Sequence, residues 1–274
     1  MFDSPDALAE QYRRDGYLAP IRVMTAERAA ECRALLEQAE AMAADDPEAT
    51  SYFREYANIG LGFVGDILKD AAVTDPVAAI LGEDLLVMAC NFFIKEPRTT
   101  AYVSWHQDVH YWGLQEDEEV TAWIALSPAT RESGCMKFVP GSHTEVVAHT
   151  DTFADDNLLT RGQEIAVEVD EEDAIAAELQ PGEMSLHHGR LFHASEPNRS
   201  DDRRIGLAIR YVPTSMKQMD GARMSATLAR GEDHYGHWDL ADSGTGLLAP
   251  ADLQRHRDIR DRRRAVLMRD TSAG

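Results

Sequence analysis

From Gly82 onward the chain is a succession of short runs rich in β-branched and aromatic residues, and this pattern restricts the fold more than any other feature. The runs are LLVMACNFFIK, VSWHQDVHYW, VTAWIALSP, MKFVPGSH, EIAVEVD, MSLHHGRLFHAS and RIGLAIRYVP. Turn signals punctuate them at Pro97, Glu132-Ser133-Gly134, Pro140-Gly141-Ser142 and Pro181-Gly182. Many short strands in succession bury their apolar faces only by folding onto one another, so a sandwich, jelly roll or barrel is expected.

Before Gly82 the spacing is helical. Pro5 to Tyr12 forms an amphipathic segment ending near Gly16, and Thr25 can cap a longer helix with Ala29, Cys32, Leu35, Leu36 and Ala39 on one face. Residues 62–81 predict two short helices broken around Asp75-Pro76, and 250–270 predicts a charged helix. No repeat, low-complexity stretch or linker divides the chain. The expectation is one domain over 1–274, mainly β with flanking helices. Its parts are a helical N-terminal layer (about 1–82), a jelly-roll core (about 83–215) and a C-terminal lid or helix (about 216–274).

Charge narrows the partners. With 27 basic and 48 acidic residues the net charge is −21, which repels phosphate backbones and anionic lipid. A small-molecule partner is expected, with no nucleic acid and no membrane; oligomeric state is not legible. No apolar run reaches membrane-spanning length, and the N-terminus lacks a secretory pattern. Three widely spaced cysteines offer neither a disulfide framework nor zinc spacing, so a reducing, cytoplasmic setting is expected.

The chemistry centres on Trp105-His106-Gln107-Asp108. On a strand, side chains two residues apart share a face, which brings the His106 imidazole and the Asp108 carboxylate to one metal ion. A third ligand must come from elsewhere, and His187, His188 and His193 compete for it. Two histidines with one carboxylate form the facial triad that binds iron(II) and leaves positions open. His193 is favoured because Arg204 follows it by eleven positions, at the start of the last strand, consistent with a hairpin returning beside the ligand strand. Arginine offers a bidentate fork to the far carboxylate of a dicarboxylate co-substrate. His187 and His188, read on the same strand as His193, are assigned to packing. His110 shares the parity of Asp108, with substrate contact and packing both open. His143 is read as stabilising a turn. Asn91 faces the same side of its strand as Phe93 and is a candidate co-substrate or substrate contact. Arg210 shares the parity of Arg204, and the acidic runs 116–119 and 170–173 read as solvated loops. Segment His234-Tyr235-Gly236-His237-Trp238 is either a lid or a packing element.

These residues resemble the phytanoyl-CoA dioxygenase family of iron(II)/2-oxoglutarate-dependent oxygenases, roughly from Phe2 to Pro213. The resemblance is carried by Asp15-Gly16-Tyr17, Ile94-Lys95-Glu96-Pro97, His106-Gln107-Asp108-Val109-His110-Tyr111-Trp112, Gly134-Cys135-Met136, Val139-Pro140-Gly141-Ser142-His143 and Phe192-His193-Ala194-Ser195. It implies a double-stranded β-helix, cupin-like, and iron(II) held by the catalytic residues His106, Asp108 and His193. It further implies that Arg204 pairs with the distal carboxylate of 2-oxoglutarate, that Ser195 and Lys95 assist it, and that Trp112 walls the pocket. The implied reaction consumes O2 and 2-oxoglutarate, releases succinate and CO2, is stimulated by ascorbate, and oxidises an unactivated C–H bond. Related halogenases replace the ligand carboxylate with a small residue, so Asp108 implies hydroxylation. The implied substrate is a small polar, amine-bearing metabolite, aminophosphonate-like or amino-acid-like. The alternatives are an acyl-CoA or a natural-product intermediate. A catalytically silent 2-oxoglutarate-binding sensor and a Lewis-acid isomerase are the alternatives from other classes.

Overall fold

The computed structural model describes residues 4–109, 112–154, 156–159, 162–219 and 223–270, so the expectation for His110 falls outside the described residues. The elements in chain order are α1 (Pro5–Asp15), β1 (Tyr17–Arg22), α2 (Ala26–Met42), α3 (Ala49–Arg54), α4 (Ala57–Gly60), α5 (Gly62–Ile67) and α6 (Ala71–Leu81). They continue with β2 (Leu85–Lys95), β3 (Val103–His106), β4 (Val120–Ala125), β5 (Met136–Phe138), β6 (His149–Asp151), β7 (Gln163–Ile165), β8 (Ile175–Ala177) and β9 (Glu183–His188). The last are β10 (His193–Ser195), β11 (Arg204–Pro213), β12 (Ser225–Arg230), β13 (Asp239–Leu240) and α7 (Pro250–Asp270).

Local chemistry explains the helix ends. Ser4 Oγ accepts from Ala7 N at 3.2 Å, Pro5 opens α1, and Gly16 closes it with φ 78°, a left-handed conformation that favours glycine. Thr25 caps α2 as expected, its Oγ1 accepting from Arg28 N at 3.2 Å. The expected break at Asp75-Pro76 lies instead at residues 68–70. There Asp70 caps α6 by accepting from Ala72 N at 2.8 Å, and Pro76 sits inside the helix. Proline at this position forfeits the helical bond that a residue 76 N–H would give Ala72 O.

The chain falls into two compact units. The first comprises Met1–Arg33, Phe93–Trp112 and Val120–Ala208. In it β1, β9, β4 and the first half of β11 lie side by side, and a second, four-stranded sheet has the order β3-β10-β5-β8. Two antiparallel sheets give the jelly-roll, cupin-like architecture that the strand pattern predicts. Their core gathers Trp123, Phe138, Leu179, Leu191 and Ala208, with Tyr17 and Phe93 packed against it. The second unit comprises Ala34–Phe92, Gly113–Glu119 and Ile209–Gly274, with most of β2, β12, β13 and helices α3 to α7. There Ile59 of α4 and Tyr56, the residue before that helix, pack on Ile259 of α7.

The expected helical layer proves to contain a strand, since β1 pairs antiparallel with β9. Its intermediate-to-exposed positions break the alternation that would have marked it. The expected lid region likewise contains β12 and β13. The run MSLHHGRLFHAS, read as one strand, is two. β9 ends at His188, a turn follows in which Leu191 N donates to His188 O at 2.9 Å, and β10 begins at His193 in the other sheet. β11 is not the hairpin partner of β10 either: β10 pairs with β3 and β5, while β11 lies between β4 and β2.

Candidate metal centre

β3 ends at His106, β10 begins at His193, and the two residues are register partners across an antiparallel pair. Their rings stand 4.0 Å apart, tilted by 48°. Asp108 lies just beyond the strand end, so strand parity alone does not place it; Asp108 N donates to Gly189 O at 2.7 Å and holds the residue there. The Asp108 Oδ1 then comes 3.3 Å from His106 Nε2.

Each imidazole is oriented by its own backbone. His106 Nδ1 lies 2.9 Å from Ser104 O, and His193 Nδ1 lies 2.9 Å from Leu191 O. Each carbonyl can only accept, so Nδ1 carries the proton and Nε2 presents its lone pair. One ligand atom from each of His106, Asp108 and His193 lies within 4.8 Å of the others, a convergence that no other group of this kind makes among the described residues. Burial, then the neighbouring His106 and His187, push the His193 pKa well below its ordinary value, so the ring is neutral. Two imidazoles that turn Nε2 inward and a carboxylate, crowded together, suit a divalent ion.

A second polar cluster is built on β2, β10 and β11. Lys95 and Arg204 are both buried. Lys95 Nζ donates to Ser195 Oγ at 2.7 Å, to Ser195 O at 3.1 Å and to Glu196 O. The Arg204 guanidinium lies over the Trp123 ring, 5.3 Å from its centroid. This close approach depends on Gly206, where an added Cβ would come 1.7 Å from Trp123 Cζ2. Burial lowers the Arg204 pKa to about 10; burial and then the Arg204 charge lower Lys95 to about 6. Cys135 supplies no countercharge, because burial, then the charge of Glu178, raise its thiol to about 11. Arg204 forms no ion pair with a carboxylate among the described residues, and its buried Nε has no hydrogen-bond partner there. A buried guanidinium without a carboxylate, beside a buried lysine, fits an anionic ligand, and a dicarboxylate suits this chemistry.

The other expected residues distribute as follows. Trp112 is half-buried in the first unit, its N donating to Val109 O at 3.2 Å. Asn91 and Arg210 meet each other in the second unit, Arg210 Nη1 donating to Asn91 Oδ1. His187 is buried on β9 with its ring 4.7 Å from that of His193 and 5.5 Å from Phe138, outside the convergent group. His188 faces the other way, 5.3 Å from His143 and 6.3 Å from Tyr12. His143 does more than shape a turn: its ring packs beneath Gly16, and its Nε2 lies 3.2 Å from Arg13 O, tying α1 to the 140–144 turn. In the 234–238 segment Trp238 is buried and donates from Nε1 to Met216 O at 2.8 Å, whereas His234 and Tyr235 are exposed. No local pattern marks Trp123 or Gln107, whereas Gly206, a glycine inside a strand pattern, signals a close approach.

The family described as phytanoyl-CoA dioxygenase matches residues 12–206. Among solved structures, the apo form of the non-heme monooxygenase ThoJ is 29% identical, with a TM-score of 0.87 over 97% of this chain and 100% of that one. Its nickel complex is 27% identical, with a TM-score of 0.81 over 96% and 99% of the two chains. Among curated proteins, the probable alpha-ketoglutarate-dependent hypophosphite dioxygenase of Stutzerimonas stutzeri is 28% identical over 60% of this chain. The chain spans 59% of that relative's length.

Proposed function

The chain belongs to the phytanoyl-CoA dioxygenase family, and from that premise we propose that it is an iron(II)/2-oxoglutarate-dependent oxygenase hydroxylating a small polar, amine-bearing metabolite. The observation that carries the reading is the convergence of His106, Asp108 and His193 within 4.8 Å. In this reading His106 Nε2, His193 Nε2 and the Asp108 carboxylate would hold iron(II). Bound iron(II) with 2-oxoglutarate and O2 would supply the oxidising power, with succinate and CO2 as co-products.

The protein's own part is orientation. Ser104 O and Leu191 O fix the imidazole tautomers. Arg204 receives the distal carboxylate of 2-oxoglutarate, and Ser195, held by Lys95, contacts the same group. Trp112 walls the cavity. Asn91 is proposed as a co-substrate or substrate contact. Asp108 favours hydroxylation, since it fills a ligand position that a halide would require. The acidic surface, with a net charge of −21, favours a cationic group on the substrate. The whole of 1–274 is proposed as one oxygenase domain, supported by a family match that draws on both units. The three cysteines, buried and outside any disulfide, accord with a reducing, cytoplasmic setting. Among the described residues no helix is long and apolar enough to cross a membrane.

The test is a substrate panel of amino acids, aminophosphonates, acyl-CoA thioesters and natural-product intermediates, read by oxygen consumption and mass spectrometry. A product 16 Da heavier from an amine-bearing metabolite is expected (the mass of one oxygen atom). Turnover of acyl-CoA alone would overturn the substrate class.

A further inference from the structure

We propose that Gln107 is a positioning residue: its buried side chain locks the segment carrying His106 and Asp108 onto the turn that leads into His193, and so sets the spacing of the three ligand groups. The proposal rests on reading those three as the metal ligands.

Gln107 is 2% exposed, and its amide is used on both sides. Nε2 donates to Glu145 O and to Arg190 O, each at 2.7 Å, and Oε1 accepts from Val147 N at 3.3 Å. Its backbone N donates to His149 Nε2 at 3.0 Å, and His149 is held in turn by Nδ1 donating to Val147 O at 3.1 Å. One residue thus joins three separate segments: the end of β3, the 145–149 stretch and the turn between β9 and β10.

That turn is gripped at three consecutive carbonyls. Gly189 O accepts from Asp108 N at 2.7 Å and from Val109 N at 3.2 Å. Arg190 O accepts from the Gln107 side chain, and Leu191 O accepts from His193 Nδ1 at 2.9 Å. Asp108 and His193 are therefore placed by the same short piece of backbone, and Gln107 is the side chain that clamps it. Asp108 lies beyond β3, so the strand itself does not place it. A glutamine suits the position, since it supplies two donors and an acceptor in one plane. Leucine fills similar volume and supplies none.

Nickel(II) is a redox-inert probe of the ligand set, and its dissociation constant, measured calorimetrically on the full chain, reads ligand spacing without turnover. Gln107→Leu is expected to weaken nickel binding roughly 10- to 100-fold, the usual range for groups that orient metal ligands. His149→Leu is expected to weaken it by a smaller factor. His149→Gln is expected to restore it, because its amide oxygen can again accept from Gln107 N. Val77→Ala, on α6, is the control for lost stability: at matched loss of Tm its nickel affinity should equal that of the unaltered chain.

If Gln107→Leu does not fold, the His149 pair decides. Unchanged nickel affinity in Gln107→Leu and His149→Leu would overturn the proposal, as would an equal loss in Val77→Ala. Unchanged nickel binding in His106→Ala would instead overturn the ligand assignment itself, and this inference with it.

Discussion

His193 and Ser195 stand two residues apart on β10, and each leads into a different kind of buried polar cluster. On the His193 side, His106, Asp108 and His193 sit at strand ends and in the residues beyond them, oriented by backbone carbonyls and a backbone amide. On the Ser195 side, Lys95 and Arg204 project from the ends of long strands, and Arg204 lies over Trp123 without a carboxylate partner among the described residues. The first cluster is arranged before its metal arrives; the second is arranged by aromatic packing, and its arginine has no carboxylate partner among the described residues. A buried cation left in that condition costs stability, so its gain must come from an anion it receives. Each cluster therefore makes its own demand: a divalent cation for one, an anion for the other.

The sharpest way to break this division is to remove one cluster at a time. His106→Ala, Asp108→Ala and His193→Ala are each expected to reduce turnover to background and abolish metal binding with the fold intact, as judged by circular dichroism and calorimetry. His187→Ala should retain both, because its ring lies outside the convergent group. A dead His187→Ala beside a live His193→Ala would reverse the choice of histidine.

Next in size, Arg204→Met should leave the metal affinity untouched and weaken 2-oxoglutarate by roughly 2–4 kcal/mol, on the order of 30- to 1,000-fold. Gly206→Ala tests the same cluster through packing, since its methyl group would collide with Trp123. It should cost about 1–3 kcal/mol of stability, measured by denaturant unfolding, and weaken 2-oxoglutarate with it.

The smallest effect is a pH dependence confined to the cation cluster. Burial and the Arg204 charge hold the Lys95 pKa near about 6, so the amine is largely neutral at pH 8. An anion alongside favours the protonated form, so co-substrate binding takes up a proton. Affinity for 2-oxoglutarate should be flat below about pH 6 and fall as pH rises above it, by at most about tenfold per unit. Calorimetry in buffers of different ionisation enthalpy should detect the uptake, and Lys95→Met should abolish it. Proton release on binding would contradict the assignment.

Much of this was legible in the sequence, and the exceptions have physical causes. The jelly-roll class followed from punctuated strand runs, and His106 with Asp108 from their spacing. The reason given for Asp108 was nonetheless incomplete: it sits past the strand, placed by Gly189 O rather than by the pleat. His187 and His188 do face opposite ways as expected, yet on a strand separate from that of His193, because a turn at 189–192 has no periodicity to announce it. Arg204 was singled out for its distance from His193 along the chain, whereas its place depends on Trp123 and Gly206, a contact between strands far apart in sequence. β1 stayed hidden because its residues do not alternate cleanly in burial. Local patterns report local periodicity; they do not report which strand lies across the barrel.

The most direct test of the central claim is succinate formation from 2-oxoglutarate by the purified chain with iron(II), ascorbate and O2, compared with Asp108→Ala and Arg204→Met under the same conditions. The account predicts iron-dependent succinate from the unaltered chain, even without the true substrate. It predicts none from Asp108→Ala, and recovery of Arg204→Met only at much higher 2-oxoglutarate. Iron-loaded protein that forms no succinate at any co-substrate concentration, or an Asp108→Ala variant that forms it at the normal rate, would contradict the account.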